Sequence, residues 1–388
     1  MQHKMKIEAD WITSKASQEV CDLLSTNGYQ VFFVGGCVRN ALMDVPVSDL
    51  DISTDARPDQ VMELARAAGL KAIPTGIDHG TVTVMSDGEP YEITTFRKDV
   101  STDGRRAEVR FSDDIAHDAV RRDFTMNALY ADPGGNVADP LGGLPDLEAR
   151  RIRFIQDPER RIQEDYLRIL RFFRFHAWYG DPDGGLDAEG LAAIAANVNG
   201  LGGISKERIG AEMLKLLSAP DPAPSVAAMQ ITGTLQAVLH GAQSESLPIL
   251  VKLEEDCRIS PDPIRRLACL GGEDASDHLR LSKSQARDVI LLSQISREAL
   301  SLPELGYKYG QQMGTNAVLV KSALMQQQVT ESHLYQISQA ATQVFPISAA
   351  DLMPDYTGPA LGRKLRELEA AWIMSGFALT KTDLLARE

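Results

Sequence analysis

Residues 29–52 read YQVFFVGGCVRNALMDVPVSDLDI, and this stretch decides the fold of the first part of the chain. An apolar, β-rich run at 29–34 ends in Gly35 and Gly36, and a helical stretch then leads to Asp49 and Asp51 in a second apolar setting. Side chains at i and i+2 of a strand project from one face, so we expect both carboxylates to point into one site. The glycines allow the backbone to approach a phosphate group closely.

The paired aspartates predict a metal site. Two like charges held this close are unfavourable unless a cation lies between them, and hard oxygen ligands beside substrate phosphates suit Mg²⁺. We therefore expect Asp49 and Asp51 to be metal ligands and Mg²⁺ to be the cofactor. Taken alone, the pair also fits a solvated strand edge. The two glycines also fit a tight turn, because no third glycine completes a dinucleotide-binding fingerprint.

Composition limits the class of protein. The chain has 388 residues, 44% of them hydrophobic, and no long uncharged apolar run, so we expect a globular protein without a membrane span. The four cysteines are far apart and make no metal-ligand spacing, and the start of the chain lacks an apolar leader core. These features predict a cytoplasmic protein with reduced cysteines, and nothing implies an obligate protein partner.

Charge is distributed unevenly along the chain. The net charge of −14 argues against broad non-specific binding of nucleic acid. A local basic strip nevertheless contains eight arginines, at positions 150, 151, 153, 160, 161, 168, 171 and 174. From charge alone this strip is either a solvated helix face or a contact surface for a polyanion.

The chain changes character near residue 150. Before that point, strand-like runs at 29–34, 49–53, 81–85 and 91–97 alternate with helical stretches such as 58–68. After it, helical periodicity dominates, and the sequence APDPAP at 219–224 indicates a break between helical units. We therefore predict an α+β protein in three parts: a head with a small mixed sheet at 1–150, a helical neck at 151–218, and a helical body and tail at 219–388.

A third acidic residue follows from strand alternation. The strand predicted at 91–97 places Glu92, Thr94 and Phe96 on one face. A lone glutamate in a strand is normally a surface residue. If this strand neighbours the aspartate strand, Glu92 completes a carboxylate trio, and two bound cations would activate a 3′-hydroxyl and stabilise a leaving pyrophosphate.

The segment RRDFTMNA at 121–128 offers groups that suit a nucleotide. The guanidinium forks of Arg121 and Arg122 match phosphate oxygens, while Asp123 and Asn127 can hold ribose hydroxyls. The simpler alternative is an amphipathic helix that buries its apolar side chains and leaves the arginines in solvent.

The segment EDYLRILRFFR at 164–174 suggests a way to read a base. Helical spacing puts Arg161, Glu164, Asp165, Arg168 and Arg171 on one polar stripe and allows Leu167, Leu170, Phe173 and Trp178 to be buried. Asp165 and Arg168 are i, i+3 neighbours, which can form an ordinary surface ion pair. They can also read cytosine or adenine. The carboxylate would accept from the exocyclic amine and the guanidinium would donate to the bare ring nitrogen, and both contacts fail with guanine or uracil.

The ordered set GGCVR, DLD, YEITTFR, RRDFTMNA, DPLGGLPDL and EDYLRILRFFRF resembles the class II tRNA nucleotidyltransferase and poly(A) polymerase family, whose head is of the DNA polymerase β type. The resemblance covers roughly residues 29–215. It implies that Asp49 and Asp51 bind metal and that Gly36 and Arg39 bind the triphosphate. It also implies nucleotide contacts by Arg121, Arg122 and Asp123, base reading by Asp165 and Arg168, and phosphate contacts by Arg171 and Arg174. Residues 100–110 resemble the family's flexible catalytic loop.

Two residues depart from the family pattern. Asn40 stands where an aspartate is usual, and Asp44 stands where a glycine is common. The segment KAIPTGIDHGTVTV resembles the CCA-adding members, and the closing segment GPALGRKLRELEAAWIMSGFALTKTDLL resembles the helical tail of the bacterial ones. These resemblances imply addition of C, C and A to tRNA from CTP and ATP. The family's poly(A) polymerases and its A-adding and CC-adding variants stay open as alternatives, together with a small-molecule nucleotidyltransferase and an inactive RNA-binding protein.

Overall fold

The computed structural model describes residues 5–77, 80–102 and 107–386. It divides into two compact units. One comprises the chain up to Ile204 together with Ile231–Ala237, and the other comprises Ser205–Gln230 together with the chain from Val238 onward. Across the described ranges, no helix is long and apolar enough to cross a membrane.

The strands all lie in the first unit. They are β1 (Val31–Val34), β2 (Asp51–Thr54), β3 (Lys71–Gly76), β4 (Thr81–Ser86), β5 (Glu89–Thr95), β6 (Arg97–Thr102), β7 (Ala107–Phe111), β8 (Tyr130–Ala131) and β9 (Val137–Ala138). The main sheet has the order β3-β4-β5-β2-β1-β8-β9, and β6 pairs with β7 in a separate antiparallel ribbon. In the main sheet β2 and β5 run parallel, while the other neighbouring strands run antiparallel.

The helices before residue 204 are interspersed with these strands and then follow them. They are α1 (Asp10–Thr13), α2 (Lys15–Ser25), α3 (Gly36–Leu42), α4 (Pro58–Ala67), α5 (Ile115–Arg121), α6 (Leu144–Glu148), α7 (Pro158–Glu164), α8 (Leu167–Tyr179) and α9 (Ala188–Asn197). Helices α2 and α4 pack on the sheet, over the face that carries Phe33, Ile52 and Ile93, each of which is buried. Because alternate residues face opposite ways, Asp51 and Ser53 lie on the other face.

The chain beyond residue 204 is helical. Its helices are α10 (Lys206–Leu217), α11 (Ala223–Ile231), α12 (Thr234–Val238), α13 (Leu247–Asp256), α14 (Pro263–Leu270), α15 (Ala275–His278), α16 (Lys283–Ile295), α17 (Leu302–Leu324), α18 (Glu331–Ala340), α19 (Gly358–Met374) and α20 (Lys381–Leu385). Within this unit Glu254 forms ion pairs with Arg265 and Arg266, and all three residues are buried. Arg266 also donates to the carbonyls of Leu217 and Pro220.

The predicted α+β architecture is confirmed, with a mixed sheet followed by helices. The helix predicted at 58–68 is α4. The strand predicted at 49–53 begins two residues later, so Asp49 is not on it. The reason is that β1 ends at Val34, where the chain turns at Gly35 with φ of 72°, and therefore no part of β1 lies opposite Asp49.

Two other predictions concern boundaries. The three-part division at residues 150 and 218 stays a prediction, since the two compact units describe a different partition. Part of the loop predicted at 100–110, residues 103–106, lies outside the described residues.

Candidate active site

The carboxylates of Asp51 and Glu92 are brought together by strand pairing. Asp51 lies directly opposite Glu92 in the parallel pair of β2 and β5, so both side chains project from the same sheet face. Burial, the neighbouring charge of Glu92 and the charge of Asp49 all raise the pKa of Asp51. Asp49 is exposed, lies just before β2, and accepts a hydrogen bond of 3.0 Å from the Ser48 hydroxyl.

The predicted metal site is supported by the chemistry of these ligands. In the described part of the chain, no three His, Cys, Asp or Glu side chains already form a group that could hold an ion. Even so, Asp51 and Glu92 lie opposite each other on one sheet face, and a divalent cation between two carboxylates would relieve their repulsion. Oxygen ligands from Asp51 and Glu92, with Asp49 two residues away, fit a hard divalent cation.

A pocket of about 340 Å³ opens over this sheet face. Asp51 and Glu92 form part of its floor together with Ser53, Thr81 and Thr94. Its remaining walls include three arginines, Arg97, Arg121 and Arg122. The pocket therefore combines metal-ligand chemistry with cationic groups that suit phosphates.

Arg122 is fixed in the pocket by several hydrogen bonds. Its Nη2 donates to Asp118 Oδ2 at 3.1 Å and to Ser53 Oγ at 3.3 Å, and its Nε donates to Tyr130 Oη at 3.2 Å. The Tyr130 hydroxyl in turn donates to Asp118 Oδ2 at 2.8 Å. Burial opposes the charged form of Arg122, but Tyr130 and Asp118 outweigh it and raise the pKa of the guanidinium.

Gly35 makes room for this arginine. Its φ of 72° is one that other residues rarely adopt, and a Cβ atom there would lie 3.2 Å from Arg122 Nη1. Gly36 is the first residue of α3. The two predicted glycines therefore form the turn against which Arg122 rests.

Arg39, Asn127, Asp123 and Arg171 form a continuous network of side chains. Arg39 Nη1 donates to Asn127 Oδ1 at 2.6 Å, and Asn127 Nδ2 donates to Asp123 Oδ1 at 2.9 Å. Arg171 Nε donates to Asp123 Oδ2 at 2.7 Å. Although burial opposes the charge of Asp123, Arg171 and Asn127 outweigh it and hold the pKa of that carboxyl below its usual value.

This network changes the interpretation of Arg39. Its side chain is buried, its guanidinium lies 3.9 Å from the centre of the Tyr179 ring, and burial lowers its pKa. Asn40, the departure from the family pattern, accepts from both Nε and Nη2 of Arg39 and donates to the Pro46 carbonyl. An aspartate could not make that last bond, because a carboxylate has no donor.

The prediction that Asp165 and Arg168 share one helix face was wrong. Helix α7 ends at Glu164, Asp165 has an extended backbone, and α8 begins only at Leu167. The Asp165 carboxylate accepts from the Leu167 backbone N–H at 3.1 Å, and Arg168 Nη1 donates to Glu164 Oε2 at 2.7 Å. Base reading by Asp165 and Arg168 stays a prediction, now with Glu164 as the residue that holds Arg168.

The basic strip is not one surface. Arg161 is buried and donates to the Arg122 carbonyl at 2.8 Å, whereas the Arg160 side chain is 79% exposed. Arg174 lies 4.7 Å from the centre of the Phe175 ring. Trp178 was also predicted wrongly, because it is 41% exposed. Leu167, Leu170 and Phe173 are buried as expected.

Sequence reasoning missed several residues of this site. Asp118 precedes Arg122 by four residues, a spacing that could have indicated the pair. Glu164 similarly precedes Arg168 by four. Tyr179 lies far from Arg39 along the chain, and no local pattern indicates their contact.

Two family models match the chain. Residues 31–153 match the poly A polymerase head domain. Residues 185–245 match a region described as the probable RNA and SrmB-binding site of polymerase A.

Several known proteins are similar over nearly the full chain. The mitochondrial CCA tRNA nucleotidyltransferase 1 of Mus musculus is 32% identical over 95% of this chain and 88% of that protein. A CCA-adding enzyme of Streptococcus pyogenes is 33% identical over 89% of each. Among solved structures, the Bacillus stearothermophilus CCA-adding enzyme in complex with CTP is 26% identical. It superposes with a TM-score of 0.75 over 93% of each chain.

Proposed function

This chain belongs to the class II tRNA nucleotidyltransferase and poly(A) polymerase family, and we propose that it adds C, C and A to the 3′ end of tRNA. It does so without a nucleic-acid template, it takes CTP and ATP, and it releases pyrophosphate. The proposal rests mainly on one observation: Asp51 lies opposite Glu92 in the paired strands, and both residues line a pocket that is also lined by arginines. Similarity to CCA-adding proteins over nine-tenths of the chain supports the choice of substrate.

The residues of the pocket have separate tasks in this reaction. Asp51, Glu92 and Asp49 supply the oxygens for divalent cations, which we propose to be Mg²⁺. When bound, such cations activate the attacking hydroxyl and stabilise the leaving pyrophosphate. Arg122, fixed by Asp118 and Tyr130, presents a permanent positive charge beside the Gly35 turn, where it neutralises the triphosphate. Arg121, on the same wall, adds a second guanidinium.

In this proposal, the residues at the junction of α7 and α8 select the nucleotide. Asp165 accepts from the exocyclic amine of cytosine or adenine, and Arg168 donates to the neighbouring ring nitrogen. Glu164 keeps the Arg168 guanidinium in place through its 2.7 Å ion pair. Arg39, Asp123, Asn127 and Arg171 act less directly, because their polar groups are bonded to one another and stabilise the wall of the nucleotide site. We also propose that Arg174 contacts the substrate phosphates.

We propose that the protein acts in the cytoplasm. The four cysteines are free, as expected in a reducing compartment. Relatives from animals are named as mitochondrial, so cell fractionation is the direct check. Head, neck, and body with tail are the proposed functional parts, divided near residues 150 and 218.

The decisive experiment supplies the protein with tRNA that ends at the base before CCA, together with CTP, ATP and Mg²⁺. We expect the sequenced product to gain C, C and A and then stop. CTP alone should give only C additions. A long A tract on generic RNA, made without CTP, would instead establish a poly(A) polymerase and refute the proposal.

A further inference from the structure

We propose that Arg97 contacts a phosphate of the acceptor strand, and so holds the RNA end that is being extended. The inference rests on the proposed function and names a substrate contact within the same pocket. Arg97 is the first residue of β6, two residues after β5 ends, and β5 carries Glu92.

The pocket is cationic on two sides. Across the sheet, β4 and β5 lie on one side of β2, and β1 and β8 lie on the other. Arg122 belongs to the β1 side, since it bonds Tyr130 of β8 and rests against Gly35 at the end of β1. Arg97 belongs to the β4 side, because its Cδ would lie 3.5 Å from a Cβ atom added at Gly80, the residue before β4. Asp51, on β2, lies between the two sides, and Glu92 lies opposite it on β5, on the β4 side.

Nucleotidyl transfer joins two polyanions at one centre, because a triphosphate and an RNA end must meet there. The Arg122 side carries the glycine turn that allows close approach of phosphates, so it suits the triphosphate. The acceptor strand must then reach the carboxylates from the other side, where Arg97 lines the pocket together with Glu92 and Thr94. A guanidinium fork suits a phosphodiester, since it donates to both free oxygens.

The test measures binding of an RNA hairpin that ends like a tRNA without CCA. One version carries normal linkages, and the other replaces the last linkage with an uncharged methylphosphonate. We expect the methylphosphonate to weaken binding to the wild type about tenfold and to change binding to Arg97→Ala little. The slope of log Kd against log salt for the normal hairpin should fall by about 0.7 in Arg97→Ala.

Lys98→Ala is the matched control, because Lys98 is the adjacent, exposed cation. It should keep the full sensitivity to methylphosphonate, and Arg97→Lys should keep most of it. In steady-state assays Arg97→Ala should raise the KM for tRNA and leave the KM for CTP within about twofold.

Two results would overturn the assignment. One is an equal methylphosphonate penalty in wild type and Arg97→Ala, and the other is a raised KM for CTP with an unchanged KM for tRNA. Binding is measured without nucleotide, so it decides the role of Arg97 independently of catalysis. Failure of the wild type to add C to the hairpin would instead contradict the proposed function.

Discussion

Replacement of Arg171 by alanine tests the buried network most sharply. Arg171 neutralises Asp123, which is only 7% exposed and also accepts from Asn127 and from the Phe124 backbone N–H. Without Arg171, the Asp123 carboxylate remains buried but no longer has a positively charged partner. Removing one partner of a buried pair costs about 3–5 kcal/mol. Since the Arg171 side chain is 31% exposed and water can replace part of it, we expect a loss of about 2–3 kcal/mol in the free energy of unfolding.

The pH dependence of this loss has a definite sign. In the wild type the pKa of Asp123 lies below 3.8, so the stability it contributes is present above 3.8 and is lost as pH falls through the folded value. In Arg171→Ala the Asp123 carboxyl loses the charge that lowers its pKa, whereas the burial that raises its pKa remains. The difference in unfolding free energy between the two proteins should therefore shrink as pH falls from about 7 towards 5 and below.

The assay is urea unfolding of both proteins over this pH range. Arg160→Ala is the matched control, since Arg160 is 79% exposed and lies 3.7 Å from Glu164, and it should cost under about 0.5 kcal/mol at any pH. If the Arg171→Ala protein were as stable as Arg160→Ala, the stability that we attribute to the ion pair between Arg171 and Asp123 would be refuted. A stability loss that does not change with pH would also refute it.

Five further substitutions test the site. Asp51→Ala should abolish nucleotide addition and leave tRNA binding nearly intact, because its carboxylate supplies a metal ligand; near-normal addition at saturating Mg²⁺ would contradict this role. Asp118→Ala should lower kcat and cost about 3 kcal/mol of stability, since it frees Arg122. Tyr130→Phe removes one donor from the same carboxylate and should cost about 1 kcal/mol of stability. If denaturant titration and kinetics showed equal effects for Asp118→Ala and Tyr130→Phe, the role of Asp118 in fixing Arg122 would be refuted. Arg168→Ala should admit UTP and GTP, and Asp165→Ala should weaken use of CTP and ATP; single-nucleotide incorporation assays in which both variants keep the wild-type preference would exclude base reading by this pair.

Local patterns were sufficient for several elements of the fold. The run at 29–34 followed by Gly35 predicted a strand and a tight turn, and both are present as β1 and the start of α3. Strand alternation was sufficient to put Glu92 forward as a partner of the aspartates. These predictions succeed because the periods of strands and helices, and the conformational freedom of glycine, act over a few residues.

The same local reasoning failed where a strand begins later, or a helix ends earlier, than the sequence pattern predicts. Asp49 was placed on a strand and Asp165 inside a helix, and both lie just outside such elements. Strand β2 begins where the antiparallel β1 ends, and helix α7 ends beside Asp165, whose carboxylate accepts from the backbone N–H of the first residue of α8. Neighbours of this kind cannot be identified from a short window of sequence.

The sequence by itself determined which chemistry the chain carries: paired carboxylates, arginine forks and the order of the motifs. Only the tertiary structure decided which groups face the pocket and which support it. Arg39 and Arg171 look like phosphate ligands in the sequence, yet they bond Asn127 and Asp123. The physical reason is that burying a charge is costly without a partner, so packing commits these arginines to acids and amides that lie far away along the chain.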